Sequence, residues 1–224
     1  MWLFLRFPEN HTKRLKDIMA GLFFGSIIGF SLLEDVLKKS QLPEGGEEII
    51  KQASAMIAES FLNYPSYTEI FRGDEKFRAV HMAFLMERNL AWLCNESPSS
   101  MYSFTKPGTN EIECFYMLSY NNSVHLTFKD KVKYGLWQMP LRSGFDTMGR
   151  LLNCADYMMK LELEVMRDYP VYLVLQRLVV ASGSRRKGMG SRCLDVAFNV
   201  SDCEQIPIFL VTQLLSNVKF YSRL

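Results

Sequence analysis

The chain is predicted to fold as an α+β (mixed α/β) domain. Three observations lead there. Two amphipathic helical stretches come early, short strand-like runs punctuated by turn dipeptides begin near Ser100, and strand, helix, strand and helix alternate after Pro170. With 224 residues, 48% of them apolar and 13% aromatic, one domain with an extension can bury a sizeable core. A formal net charge of +2 argues against a dedicated nucleic-acid binder. The five cysteines, Cys94, Cys114, Cys154, Cys193 and Cys203, are odd in number and never spaced C-x-x-C. That speaks against a disulfide framework or a zinc site and for a reducing, cytoplasmic compartment. His11, His81 and His125 are far apart and no H-E-x-x-H occurs, so no metal is expected.

Residues 1–40 read as a hydrophobic extension. Ile18 to Leu33, "IMAGLFFGSIIGFSLL", is sixteen residues without a charge, and Gly21, Gly25 and Gly29 share one helical face. The stretch is short for a span, which needs roughly 17–25 apolar residues. It lies too far from the start, without a clear cleavage site, for a signal peptide. A buried or interfacial helix is the third reading. The basic residues Arg6, Lys13, Arg14 and Lys16 before it, with Glu34 and Asp35 after, would place the rest of the chain outside the cytoplasm. That conflicts with the cytosolic cofactor argued below, and membrane association through residues 18–33 stays open.

"QLPEGG", residues 41–46, is a linker, and residues 45–224 form the main domain. Glu47 to Leu62 carries Ile49, Ile50, Ala53, Met56, Ile57 and Phe61 at helical spacing, and "NYPSY" ends it. Asp74 to Leu93 repeats the pattern with Phe77, Val80, His81, Phe84, Leu85 and Trp92, until "NESPSS". "MYSFTK", "EIECFYMLSY" and "SVHLTF", separated by Pro107-Gly108 and Asn121-Asn122, read as a meander of three strands. Residues 144–166 are helical, with Met148, Leu151, Leu152, Ala155 and Met159 on one face. A strand runs from Val171 to Val180, a helix from Gly190 to about Ser201, then a strand over "IPIFLVT" and a last helix over "SNVKFYSRL".

The chemistry concentrates at one corner. The strand ending at Val180 gives way to Ala181-Ser182-Gly183, then Arg185, Arg186, Lys187, Gly188 and Gly190 at a helix start. Glycines let a ligand approach the backbone closely. The first amides of a helix have no internal partner, and the helix dipole adds positive potential. Such a corner binds phosphate, and the neighbouring cations concentrate anions around it. Neither common nucleotide motif fits. The P-loop spacing from Gly183 to Gly188 is followed by Met189-Gly190 instead of Lys and Ser/Thr, and G-x-G-x-x-G from Gly188 meets Cys193 at its third glycine.

"RRKGMG", residues 185–190, does match [QR]-x-x-G-x-[GA]. With its flanks, "LQRLVVASGSRRKGMGSRCLDVAF" resembles the acetyl-CoA-binding strand, loop and helix of the GNAT N-acetyltransferase superfamily, and "IPIFLVTQLLSNVKFYSRL" resembles that family's next strand and N-x-x-F-Y helix. The likeness covers Tyr169–Leu224 well and Glu47–Leu93 loosely. It implies an acyl-CoA N-acyltransferase fold: a central, mostly antiparallel sheet flanked by helices. It also implies that strands after the last helix, which complete the sheet and wall the acceptor pocket, are missing here. By the same resemblance, the backbone of Leu178, Val179 and Val180 pairs with the pantetheine arm. Arg185, Arg186, Lys187, Gly188, Met189, Gly190 and Ser191 surround the pyrophosphate, Asn217 bonds the cofactor arm, and Tyr221 protonates the departing thiolate.

The expected reaction is attack of a neutral amine on the thioester of acetyl-CoA, the acceptor being unnamed. Glu111, Glu113, Glu162 and Glu164 are candidate proton acceptors. A non-catalytic or degenerate CoA-binding protein and a membrane-associated interaction protein are the competing readings.

Overall fold

In the computed structural model, which describes residues 2–6, 47–121, 123 and 127–223 (backbone alone for Trp2–Arg6 and Phe128), the first helical pattern becomes α1, Glu47–Phe61. The apolar segment 18–33, the linker 41–46, His11 and His125 lie outside the described residues. Strand β1, Trp2–Arg6, precedes α1, and a short helix α2, Pro65–Ile70, follows it with Pro65 in its first turn. Helix α3, Glu75–Glu96, begins where Asp74 Oδ1 accepts the Phe77 amide at 2.7 Å. The hairpin of β2, Met101–Thr105, and β3, Ile112–Tyr120, closes through a turn in which the Thr109 amide donates to the Lys106 carbonyl at 3.0 Å. Gly108 there adopts a φ of +75°, where a side chain would be strained.

The third meander strand expected over "SVHLTF" is corrected at its described end. Thr127 caps a helix, α4, Phe128–Lys133, through a reciprocal pair with Asp130. A short α5, Met139–Ser143, leads into the long α6, Phe145–Val165. Strand β4 runs from Leu173 to Val180, starting two residues later than expected. Helix α7, Met189–Glu204, strand β5, Ile208–Thr212, and helix α8, Leu215–Tyr221, complete the order.

Strands β2 to β5 form a four-stranded mixed sheet with helices on both faces. β1 pairs antiparallel along the outer edge of β5, giving the order β1-β5-β4-β3-β2. The edge that the sequence left open beyond β5 is therefore occupied from the other end of the chain. The two-residue period of β3 explains the two layers. Phe115 and Met117 face α1 and α3, packing with Ala53, Ile57, Met86 and Leu90. Cys114, Tyr116 and Leu118 face α7, packing with Cys193, Leu194 and Ala197. Cys193, which broke the dinucleotide motif, is a buried thiol against Cys114.

Two irregularities shape the sheet. Phe115 pairs with Val179 and Met117 with Gln176, so three steps along β4 oppose two along β3, and Arg177 takes a left-handed φ of 54°. That is a β-bulge on the inner strand. The parallel ladder of β4 with β5 then lasts only from Leu173↔Ile208 to Val174↔Phe209, after which the strands separate. A polar cluster holds the separated end. Tyr64, before α2, shares a 2.8 Å hydrogen bond with buried Thr212 and accepts the Gln213 amide at 2.6 Å, while the Ser66 amide donates to Gln213 Oε1 at 2.8 Å. The end of β5 is thus bonded to the α1–α2 connection instead of to β4.

The expected face of α6 is corrected too. Met148 and Leu151 pack inward as expected and Ala155 borders the cleft, but Cys154 and Met158 join them in place of Leu152 and Met159, which are exposed.

Replacing Tyr64 by Phe keeps the ring but orphans the Gln213 amide, a loss of about 1–3 kcal/mol. Urea unfolding should show a lower midpoint at unchanged slope; an unmoved midpoint would mean that the cluster does not stabilise the fold.

Candidate functional site

Where β4 and β5 part, the structure opens a cleft of about 380 Å³. Its floor is Leu175 to Leu178 of β4 and Phe209 to Thr212 of β5. Tyr64 and Tyr67 wall one side, Leu151, Cys154, Met158 and Glu162 of α6 another, and Asn217 and Tyr221 of α8 close it. Beyond Val174 the β4 edge that faces β5 has no strand partner among the described residues. A second chain running along Gln176–Val179 would find backbone groups there that β5 does not use, as at any sheet edge, while the Val180 carbonyl is taken by Arg185 Nε.

The loop after β4 lies at the far end of that edge. Left-handed backbone at Arg186 (φ 60°) and Gly188 (φ 77°) turns the chain into α7. Among the described residues, the amides of Arg186 through Ser191 make no hydrogen bond, and the first bonded amide is that of Arg192, to the Gly188 carbonyl at 3.1 Å. A run of bare amides at a helix start is an anion receptor. The exposed side chains of Arg186 and Lys187 stand beside it. Arg185, also expected at the pyrophosphate, is engaged within the fold: Nε donates to the Val180 carbonyl at 3.0 Å and Nη2 to Ser60 Oγ at 3.2 Å. Arg185 braces the strand end.

Leu178, Val179 and Val180 are where the sequence put them, on the part of β4 that pairs only with β3. Gly190 has a packing reason beyond close ligand approach. A Cβ there would meet Phe220 Cζ at 3.2 Å and Val180 Cγ2 at 3.8 Å, so glycine lets α7 sit against α8. Through Phe220 the anion loop touches the helix that carries the cleft residues Asn217 and Tyr221. Met189 packs into the core beside it.

Asn217 Nδ2 donates to Thr212 Oγ1 at 3.1 Å, joining α8 to the Tyr64 cluster. Tyr221 is half-buried, and burial, reinforced by Tyr64 and Cys114, pushes its phenol well above the ordinary tyrosine value. Of the four carboxylates weighed as proton acceptors, Glu162 alone lines the cleft, where it accepts the Tyr172 hydroxyl at 3.0 Å. Glu113 accepts Ser184 Oγ at 2.7 Å and steadies the loop, Glu111 is exposed beside Lys106, and Glu164 is exposed.

Sequence reasoning missed Tyr64, Tyr67, Thr212 and Arg177. A signal existed for the last: Gln176-Arg177 is a polar pair inside an otherwise apolar strand. Arg177 lines the cleft near Tyr67, and desolvation lowers its pKa, offset in part by Tyr67.

Among the described residues no helix is long and apolar enough to cross a membrane, and no group of three or more His, Cys, Asp or Glu side chains is placed to hold a metal ion. No protein-family model matches the chain, and no curated protein matches it.

The raised phenols give a pH test. Burial raises Tyr221 and Tyr116, and burial with the Glu162 bond pushes Tyr172 up to about 12. An unfolded tyrosine loses its proton near pH 10. Above that pH the native state holds protons that the unfolded chain has lost, so stability is full below about pH 10 and falls as pH rises. Urea midpoints followed from pH 8 upward should stay level and then decline above about pH 10, and Tyr221→Phe should make the decline shallower. An equal decline in that variant would place Tyr221 in water.

Proposed function

We propose that this protein is an acetyl-CoA-dependent N-acetyltransferase of the GNAT type. The carrying observation is the parting of β4 and β5 beside a run of unbonded amides. One edge of β4 is left to receive an extended arm, and at the end of that edge the amides of Arg186 to Ser191 are left to receive a diphosphate. Acetyl-CoA has this layout, with an amide-bearing arm that can pair like a strand and a pyrophosphate at its end. The tip of the arm would reach Leu178 and the cleft.

The side chains there suit the chemistry. An amine entering the cleft attacks the thioester carbonyl, forms the amide C–N bond, and displaces the thiolate as the C–S bond breaks. Tyr221 supplies the proton to sulfur, and its raised pKa keeps that proton in place at neutral pH. Glu162 is positioned to accept the proton that the amine must lose. Asn217, with Nδ2 held by Thr212, presents Oδ1 to a donor on the cofactor arm. The Leu178 to Val180 edge and the loop amides position and desolvate, which is most of the catalysis in such a transfer.

Calorimetry should show acetyl-CoA binding in the micromolar range common for such co-substrates. Gly190→Val should abolish it, because its side chain would drive into Phe220 and displace α8 from the loop; unchanged affinity would remove the loop from the site. Under a thiol-release assay with an amine panel, Tyr221→Phe should lower kcat by roughly 100-fold while leaving the acetyl-CoA Kd within about twofold. Binding without thiol release from any amine would favour a non-catalytic CoA-binding role, and absence of binding would discard both.

A further inference from the structure

Arg177 is an unusual residue for the floor of a cleft. With Gln176 it interrupts a strand that is otherwise apolar from Leu173 to Val180. It sits at the bulge with a φ of 54°, a conformation that costs a non-glycine residue about 1 kcal/mol. Its guanidinium has five N–H donors, yet the hydrogen bond it makes among the described residues is from Nη1 to the thioether sulfur of Met117, at 3.5 Å, a weak acceptor. No described carboxylate pairs with it. Glu162, the acidic residue lining the cleft, is engaged by Tyr172. The neighbouring polar groups, Tyr67 and Gln176, are neutral.

Arg177 is half-buried, and a charge partly drawn out of water without a counter-ion is costly, so such charges are normally paired. Met, Leu or Gln would fill the position at lower cost if it served only the fold. The cost is recovered when an anion enters the cleft, where low dielectric strengthens the pair. The planar fork of a guanidinium fits a carboxylate through two parallel hydrogen bonds.

We propose that the cleft takes a carboxylate-bearing substrate, with Arg177 as the receptor for that carboxylate. The inference rests on the acyl-transfer reading for the identity of the substrate and on the cleft geometry alone for the carboxylate. The carboxylate could belong to the amine acceptor, as in an amino acid, or to the far end of a dicarboxylic acyl group.

The test is calorimetry on the full chain, wild type, Arg177→Gln and Arg177→Lys. One arm titrates N-acetylated amino acids against their amides; the other titrates succinyl-CoA against acetyl-CoA. The wild type should bind the acid at least about tenfold more tightly than its neutral counterpart in one arm, the size of a charged hydrogen bond. Arg177→Gln should erase that ratio and Arg177→Lys should keep part of it. Preference in the first arm puts the carboxylate on the acceptor, and in the second on the acyl group. Equal binding of acid and neutral probe by the wild type in both arms overturns the proposal without need of a variant. So does a preference that Arg177→Gln leaves intact. Arg177-dependent acid binding without acetyl-CoA binding would sink the acetyltransferase reading and leave the carboxylate receptor standing. Acetyl-CoA binding without acid preference would do the reverse.

Discussion

The short parallel ladder between β4 and β5 is the constraint on which the rest of the molecule depends. Two paired positions set the strands side by side at Leu173 and Val174, and nothing holds them together afterwards. Three features then keep them apart. The bulge turns β4 at Arg177. The Tyr64 cluster ties the end of β5 to the α1–α2 connection. Asn217 fixes the start of α8 to the same threonine. In the second, the Gln213 amide bonds the Tyr64 hydroxyl instead of a strand partner. The cleft, its open strand edge and the bare amides follow from that redistribution of hydrogen bonds.

The two cationic regions differ in physical character. Arg186 and Lys187 are exposed, so their attraction for an anion is screened by salt over roughly 10 Å and each is worth little as an isolated pair. On the proposed reading, the amides of Arg186 to Ser191 would provide most of the specificity. Arg177 is half-buried beside Tyr67 on the strand floor, and its field is screened less than theirs. On the proposed reading, one end of the site would gather charged ligands from solution and the other would select among those that have arrived.

Much of the architecture was legible in the sequence. The periodicity of α1 and α3, the alternation of β3, and the corner from Leu173 through Ser191 could be read because each pattern is local. In the loop the position of Gly188 follows from its left-handed backbone, whereas that of Gly190 depends on its packing against Phe220, which is not local. What could not be read depended on long-range pairing or on residues that are not apolar. The inner face of α6 includes Cys154 and Glu162, which a count of hydrophobic positions passes over, so the expected stripe of Met148, Leu151, Leu152, Ala155 and Met159 takes in two exposed residues, Leu152 and Met159. The bulge at Arg177 exists only relative to β3, and the role of Tyr64 only relative to Thr212. The helix at Phe128 was misread although its Thr127–Asp130 capping signal was present, because the β-branched and aromatic run "SVHLTF" outweighed it.

Strand β1 has a consequence for how the molecule is made. Its partners, from Thr212 back to Ile208, lie about two hundred residues further along the chain, so Trp2–Arg6 finds its place only after that stretch has been made. Contacts of such high sequence separation close late and slowly. During that interval a nascent intermediate leaves both β1 and the outer edge of β5 unpaired, a species suited to chaperone capture or to pairing with a neighbouring copy.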